Sequence, residues 1–455
     1  MNLNRITPFR GPGGKVPRII HFIGIGGIGM SALARFFHSK GAQVSGYDKT
    51  ETSLTKELIQ EGMKVHYDDN PGLVPDKVEL VVYTPAIPND HKEWAYCREK
   101  GYKLMKRSEV LQWITESSFN ICIAGTHGKT TITTMIAHIL RDSGFGCNAF
   151  LGGISVNYNT NFWPQAPAGG NEKNVCVVEA DEYDRSFLKL SPDIAIITAM
   201  DADHLDIYGT ASAMEEAFIE FSKRLKPGGK LIKRFGLKRG AELANGKEMM
   251  YSLQNESADT YAKNIRMQNG GYAFDVVIRE KLIENITLNM GGMHNVENAV
   301  AAMATAAELD IDDQKIRDAV SSFRGVKRRF EYIIRNDRLV FIDDYAHHPE
   351  ELRALITGAR SLFRDRKCTV IFQPHLYSRT RDLAEGFAAV LDLADETILL
   401  PIYPARELPI PGVSSEMILG RMKNENKQVV SKEDLLNWME KSFRKNVNKE
   451  LGELL

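Results

Sequence analysis

The stretch Ile121–Thr131, ICIAGTHGKTT, constrains this chain more than any other. Ile121, Cys122, Ile123 and Ala124 read as a short apolar strand that stops at Gly125. Thr130–Leu140 reads as a helix with Ile132, Met135, Ile136, Ile139 and Leu140 on one face. A strand, a glycine turn and a helix in that order aim the backbone N–H groups of Gly125, Thr126, His127, Gly128, Lys129, Thr130 and Thr131 at one point. That point lies at the positive end of the helix dipole, where a polyphosphate can sit. Lys129 then reaches the β and γ phosphates, and the Thr130 hydroxyl ligates Mg²⁺. The usual P-loop has a further glycine where this chain has Ile123, so the loop is a shorter G-x-x-G-K-T form. Gly-Lys-Thr alone is common by chance and marks a plain turn as readily. The flanking strand, glycine and helix are what make it a nucleotide loop.

With 455 residues and 43% hydrophobic content the chain can bury several cores, and its length suggests about three domains. A net charge of -1 argues against a dedicated binder of nucleic acid or of an anionic membrane. Cys97, Cys122, Cys147, Cys176 and Cys368 are scattered without a C-x-x-C pair and read as core thiols in a reducing compartment. The first residues lack an apolar signal core, and no run approaches the ~18 apolar residues of a membrane span. A soluble cytoplasmic protein is expected.

From the N-terminus, Arg18–Phe22 reads as a β run ending in Gly24-Ile-Gly26-Gly27-Ile-Gly29. A helix follows over Met30–Ser39, and a second strand, Gln43–Tyr47, ends at Asp48. This is G-x-G-x-x-G in a β-turn-α setting, with an acid where a ribose-binding acid stands. By itself it describes a dinucleotide site, so an NAD-dependent oxidoreductase is the rival function. The strand Glu79–Tyr83 leads into Thr84-Pro85-Ala86-Ile87-Pro88, a candidate ligand loop or an ordinary Pro-rich turn.

Beyond the P-loop helix, Gly152–Asn174 has the composition of an exposed segment. Val175–Val178 is a buried strand delivering Glu179-Ala-Asp181-Glu182-Tyr-Asp184, and Ile194–Thr198 delivers Asp201-Ala-Asp203-His204-Leu-Asp206. Carboxylates in such numbers form a solvated turn in many proteins, but at strand ends beside a P-loop they are candidate Mg²⁺ ligands, with His204 among them. Met250–Leu253, Ala262–Met267, Tyr272–Val277 and Asn285–Leu288 alternate between Asn/Gly turns and read as a small β layer attached to the central domain. Asn295 and Asn298, three apart at the start of an alanine-rich helix, are placed to hydrogen-bond a purine; capping explains one of them, not easily both. A third domain begins near Val326 with Lys327-Arg328-Arg329-Phe330. Its strands end in the polar loops Asp343-Asp344-Tyr345-Ala346-His347-His348 and Gln373-Pro374-His375-Leu376-Tyr377-Ser-Arg379, where ligands bind in open α/β sheets.

GIGGIGMS, GTHGKTT, EADEYD, DADHLD, HNVEN, KRRF, DDYAHHP and FQPHLYSRTRD, in this order between Gly24 and Asp382, closely resemble the motifs of the Mur ligases of bacterial peptidoglycan synthesis. The resemblance covers nearly the whole chain. It implies an α/β protein of three domains: a Rossmann-like UDP-sugar domain over 1–115, a central P-loop ATPase-type domain over 116–325 and a Rossmann-like amino-acid domain over 326–455. It also assigns the first glycine loop to a UDP diphosphate, with Gly24, Gly26, Gly27, Gly29, Met30, Ser31, Asp48, Thr84 and Ala86 on that side.

The activity it implies is ATP-dependent joining of L-alanine to the lactyl carboxylate of UDP-N-acetylmuramate through an acyl phosphate. The related recycling activity, which adds a whole tripeptide, is the alternative. Carried over by motif, Lys129 contacts phosphates, Thr130 and Glu179 hold one Mg²⁺, and His204 helps hold a second. Asn295 and Asn298 match an adenine-binding pair. Arg329, with Arg328 beside it, and Asp344 reach the nucleotide on domain closure, and His348, His375 and Arg379 surround the amino acid. No nucleic-acid or membrane partner is expected, and the oligomeric state, monomer or dimer, is left open.

The chain departs from the family pattern in three places. Leu376 stands where an arginine is frequent. Met214–Phe221 lacks the lysine that supports the second Mg²⁺ in sister ligases, so Glu215, Glu216 or Glu220 is expected to stand in. The chain stops at Leu455, which is expected to leave the third domain without the family's last strand.

Overall fold

A computed structural model describes residues 15–165, 174–202, 205–243, 247–405, 407–443 and 452–455. The protein is α/β, with three sheets in chain order. The first holds β1 (Ile19–Ile23), β2 (Gln43–Tyr47), β3 (Lys64–His66), β4 (Leu80–Tyr83) and β5 (Leu104–Lys106). All pair in parallel, in the order β3-β2-β1-β4-β5. The chain therefore leaves β1 toward one edge and later returns to its other side, so the sheet opens a crevice at the carboxyl end of β1, where ligands of such sheets bind. The G-x-G-x-x-G loop sits there.

The central sheet holds β6 (Phe119–Ala124), β7 (Asn148–Ser155), β8 (Thr160–Trp163), β9 (Val175–Glu179), β10 (Ile194–Ile197), β11 (Lys230–Arg234), β12 (Lys247–Ser252), β13 (Thr260–Gln268), β14 (Gly271–Ile278) and β15 (Lys281–Leu288). Its order is β15-β14-β13-β12-β11-β10-β6-β9-β7-β8. All six residues of β6 are buried, as an inner parallel strand covered on both faces requires. Asn120 is the polar exception. It is held by Nδ2 donation to the carbonyls of Thr115 (2.9 Å) and Ser191 (3.1 Å). The short strands after Met250, expected as a small β layer attached to the central domain, prolong the central sheet itself, because β12 pairs in parallel with β11 and β13 with β12. Alternation alone cannot distinguish a new sheet from the edge of an old one.

The third sheet holds β16 (Glu331–Arg335), β17 (Leu339–Asp343), β18 (Lys367–Phe372), β19 (Glu396–Leu399), β20 (Lys427–Val429) and β21 (Glu453–Leu454), in the order β16-β17-β21-β18-β19-β20. A strand forms where none was expected. Glu453 and Leu454 slot between β17 and β18, pairing in parallel with Leu339 and Val340 on one side and Lys367 and Cys368 on the other. Both neighbours supply ladder partners, and Glu453 and Leu454 are almost fully buried.

Contacts divide the chain into two compact units. One takes the chain up to Ile265 with Phe274–Leu288 and Val296–Phe323; the other takes Arg266–Ala273, Asn289–Asn295 and Arg324–Leu455. All five cysteines are buried free thiols. Among the described residues no helix is long and apolar enough to cross a membrane.

Candidate active site

Glycine is required in the first loop. Gly24 has φ +87°, and a Cβ there would stand 2.6 Å from Thr84 Cγ2. The Tyr47 carbonyl accepts the N–H groups of Gly24 (2.8 Å) and Ile25 (2.9 Å), and Asp48 Oδ2 accepts that of Gly26 at 2.8 Å. Asp48 Oδ1 takes the Thr50 N–H at 3.3 Å. Both carboxylate oxygens thus hold the chain itself. Asp48 shapes the loop from inside. The helix Ile28–Ser39 makes its first turn bond from Ser31 N–H to the Gly27 carbonyl (2.8 Å). The N–H groups of Ile28, Gly29 and Met30 therefore lie at the positive end of its dipole.

Ser31, expected beside the substrate, is fully buried. Its Oγ donates to the Ile28 carbonyl (3.0 Å) and accepts from Asn161 Nδ2 (2.9 Å). Asn161 on β8 thereby braces the first glycine loop against the central sheet. No motif pointed to it. Ala86 is exposed, and its N–H lies 3.4 Å from Thr84 Oγ1.

In the P-loop, Gly125 has φ +134°, and a Cβ would come within 2.0 Å of Thr198 Oγ1; Gly128 has φ +79°, and a Cβ would stand 2.7 Å from Asn298 Oδ1. Asn298 is thus packed on the loop, from the helix Met293–Glu308 that also carries Asn295. Asn295 Nδ2 donates to the Gly291 carbonyl at 2.7 Å. Thr126 Oγ1 accepts the Asp201 N–H at 3.3 Å, His127 is exposed with Nε2 3.7 Å from Asp201 Oδ2, and Thr131 is buried. Lys129 Nζ donates to the Gly125 carbonyl and to Glu182 Oε1, each at 2.7 Å. Thr130 Oγ1 donates to Glu179 Oε1 at 3.1 Å.

The four acids after β9 are thereby sorted. Glu179 turns to Thr130 and accepts the Gly152 N–H at 3.2 Å. Asp181 lies 3.9 Å from Arg107 Nη2 and takes the Tyr183 N–H at 3.1 Å. Glu182 is buried on Lys129, and burial raises its pKa although the ammonium draws it down. Asp184 and Arg185 both adopt positive φ, 56° and 53°, in the turn that carries this cluster away from the strand. Strain of that kind collects at functional sites. A hydroxyl and a carboxylate side by side at a P-loop are the hard oxygen donors that suit Mg²⁺. A cavity of about 350 Å³ is lined by Gly27, Gly29, Thr84, Arg107, Gly152, Glu179 and Asp181, so it touches both the first glycine loop and the metal-type acid. Arg107, Asp181, Glu182, Gly152 and Thr198 complete the site, and sequence reasoning had not singled them out as a set.

His204 and Asp203 lie outside the described residues. The expected stand-ins for the missing lysine are engaged elsewhere. Glu215 pairs with Lys238 (2.7 Å), Glu216 with Arg239 (2.9 Å) and Glu220 with Arg224 (2.8 Å).

In the second unit, Asp344 accepts the N–H groups of Phe330 and Ala346, both at 2.7 Å, tying the Lys327–Phe330 turn to the loop after β17. Burial nevertheless lifts its pKa above the ordinary 3.8. Arg329 is exposed, and Arg328 covers the Tyr345 ring at 4.8 Å. His348, exposed, is the residue before the helix Pro349–Leu362, and its N–H donates to Glu351 at 3.2 Å. His375 stacks on Tyr403 (5.5 Å) and stands 3.3 Å from Arg379 Nη1; burial and then Arg379 lower its pKa. Leu376 takes φ +72°.

Three family models match in succession: the Mur ligase family catalytic domain over residues 19–118, the Mur ligase middle domain over 123–306 and the Mur ligase glutamate ligase domain over 328–450. The UDP-N-acetylmuramate--L-alanine ligase of Phocaeicola vulgatus is 49% identical over 93% of this chain and 92% of that protein. The protein of the same name from Flavobacterium johnsoniae is 47% identical over 96% and 92%. Among solved structures, the UDP-N-acetylmuramate-alanine ligase of Thermotoga maritima superposes with a TM-score of 0.79 at 28% identity, covering 96% of this chain and 94% of that one. A murein peptide ligase from Psychrobacter arcticus, at 24% identity and TM-score 0.67 over 96% and 94%, shares the fold. With a phosphate loop, a second glycine loop and three successive domain matches in one chain, the protein belongs to the Mur ligase family.

Proposed function

We infer that this protein is an ATP-dependent ligase that joins L-alanine to the lactyl carboxylate of UDP-N-acetylmuramate, a cytoplasmic step of peptidoglycan synthesis. The observation that carries this reading is the shared cavity, where the N-terminus of the helix after the first glycine loop and Glu179 face the same space. A UDP-sugar whose diphosphate rests on Gly27–Met30 extends its lactyl end toward the γ-phosphate held by Lys129. The carboxylate attacks γ-phosphorus and releases ADP. The L-alanine amine then adds to the acyl phosphate, and the tetrahedral intermediate collapses with loss of phosphate.

Each step gathers anions, so the reaction calls for cationic partners. Thr130 and Glu179 would hold a Mg²⁺, whose charge offsets that of the polyphosphate when bound. Lys129 contacts the phosphates, Arg107 lies beside the substrate carboxylate, and Asn295 and Asn298 take the adenine. Arg329 and Asp344 serve the nucleotide. Arg379, with His375 and His348, serves the amino acid, a guanidinium being suited to a carboxylate in two-point contact. The domain limits 1–115, 116–325 and 326–455 are proposed on the same basis.

The test offers ATP, Mg²⁺ and UDP-N-acetylmuramate with L-alanine, glycine, L-serine or an L-Ala-γ-D-Glu-diaminopimelate tripeptide in separate reactions, following ADP and product mass. One methyl group is worth only about 1–3 kcal/mol of selectivity. L-Alanine should therefore turn over fastest, with glycine and serine slower but measurable. Turnover with the tripeptide alone would move the protein to the recycling activity.

A further inference from the structure

The small core between the first sheet and the helix Lys92–Glu99 is built of Ile23, Val74, Val78, Val81 and Cys97. One polar group interrupts it. His21 on β1 and Glu93 on the helix are fully buried, and the His66 side chain on β3 enters from the edge with 17% exposure. His21 Nε2 lies 3.0 Å from Glu93 Oε2, and His66 Nε2 lies 3.6 Å from Glu93 Oε1. The three donor atoms fall within 4.8 Å of one another. None of these residues has a part in the ligase chemistry described above.

The outer ring nitrogens determine what the inner ones present. His66 Nδ1 is 3.0 Å from the Asp68 carbonyl, which can only accept, so Nδ1 carries the proton. His21 Nδ1 is 2.9 Å from Ser45 Oγ, a hydroxyl that also lies 3.5 Å from the Ile20 carbonyl. With Nδ1 carrying its proton, a neutral His66 turns an Nε2 lone pair toward Glu93 Oε1 at 3.6 Å, an arrangement that repels unless a cation lies between. His66 Nε2 is buried and, among the described residues, has no hydrogen-bond partner. Glu93 is itself oriented, since its Oε1 accepts the Asn70 N–H at 3.1 Å. Imidazoles held by their far nitrogens and a carboxylate held by a backbone N–H are how outer groups orient metal ligands. Ligands about 2.0–2.1 Å from a tetrahedral ion stand about 3.3–3.4 Å apart, and the two imidazoles lie 3.0 Å from Oε2 and 3.6 Å from Oε1 of the one carboxylate, with one donor atom from each residue within 4.8 Å of the others.

We propose that His21, His66 and Glu93 form a binding site for a divalent transition metal of the Zn²⁺ class, linking β1 and β3 to the helix Lys92–Glu99. Two imidazoles with one carboxylate favour Zn²⁺ over Mg²⁺, which prefers oxygen donors and water. The role is structural, because binding to the folded state alone stabilises it.

The full-length protein, stripped with a chelator and free of nucleotide and Mg²⁺, is titrated with Zn²⁺ and separately with Co²⁺. One equivalent of metal should bind, Co²⁺ should show the intense visible bands of a four-coordinate ion, and Zn²⁺ should raise Tm by several degrees. His66→Ala, at the partly exposed edge, should abolish all three responses, and Glu93→Gln should weaken binding at least tenfold. Thr130→Ala, which removes the P-loop hydroxyl, should leave them intact. Absence of binding to the unaltered protein overturns the proposal, as does uptake kept in His66→Ala or lost in Thr130→Ala. So does a nitrogen NMR spectrum with both rings doubly protonated near neutral pH in protein that takes up no Zn²⁺, which would make the shared cation a proton.

Discussion

The ammonium of Lys129 lies 2.7 Å from Glu182 Oε1, and that carboxylate is almost wholly buried, its side chain 1% exposed. A phosphate entering the loop must therefore compete with Glu182 for the lysine. Glu182→Gln removes the competing charge while keeping an acceptor. ATP should then bind about 3–10-fold more tightly at low ionic strength, the scale of a partly screened ion pair. Unchanged or weaker ATP binding by calorimetry would show that the pair does not restrain Lys129. Lys129→Ala should cost about 10²–10³ in kcat, as loss of one donor to a developing anion does. Near-normal ADP formation in this variant removes Lys129 from the phosphate-contact role.

Gly152→Ala tests the proposed Mg²⁺ role of Glu179 without replacing that residue. A Cβ at this position would stand 2.2 Å from Glu179 Oε2, and the flexible end of Glu179 is what must yield. Stability should change little, while the Mg²⁺ concentration needed for half-maximal activity should rise several-fold. A variant with normal Mg²⁺ dependence would separate Glu179 from the metal.

His138 gives a pH signature. Burial lowers its pKa below the ordinary 6.5, with Asp142 and the Ala319 carbonyl opposing and Arg141 adding to the drop. The ring is fixed by Tyr158 OH at 2.7 Å and the Ala319 carbonyl at 2.9 Å. Between the folded pKa and 6.5 the unfolded chain binds more protons, so this stability is full above 6.5 and is lost as pH falls through the folded value. Urea midpoints should fall from pH 7.5 to 5.5, and His138→Gln should flatten that fall. His294, also lowered by burial, keeps its share in the variant. An identical pH slope in both proteins would assign the effect elsewhere.

Leu454→Ala probes β21. Leu454 is 2% exposed in the third core, and truncating such a leucine costs about 2–5 kcal/mol. Removing Glu453–Leu455 should cost more, since it also strips the backbone bonds from Leu455 to Val340 and from Ile342 to Leu455, both 2.8 Å. A melting curve unmoved by either change would show that β17 and β18 hold together without it.

Local pattern was enough for elements that follow from a few consecutive residues. Ile121–Gly125 followed by Lys129–Leu140 could be read as a phosphate loop because hydrophobic periodicity, a left-handed glycine and a helix start are all encoded within a dozen neighbours. The same holds for Gly24–Gly29 after β1, and the order of the motifs carried the family and its activity. Other features depended on contacts distant in sequence. Of four acids in six residues, only packing assigned Glu179 to Thr130 and Glu182 to Lys129. Asp48 faced its own loop because strand pairing carried it to Gly26, and Asn161 reached Ser31 across 130 positions. The strand at Glu453–Leu454 is placed by β17 and β18, distant in sequence, whose backbone groups it satisfies on both sides. The convergence of His21, His66 and Glu93 is likewise tertiary, since nothing near any of them in the sequence specifies that their donor atoms should meet in one apolar core.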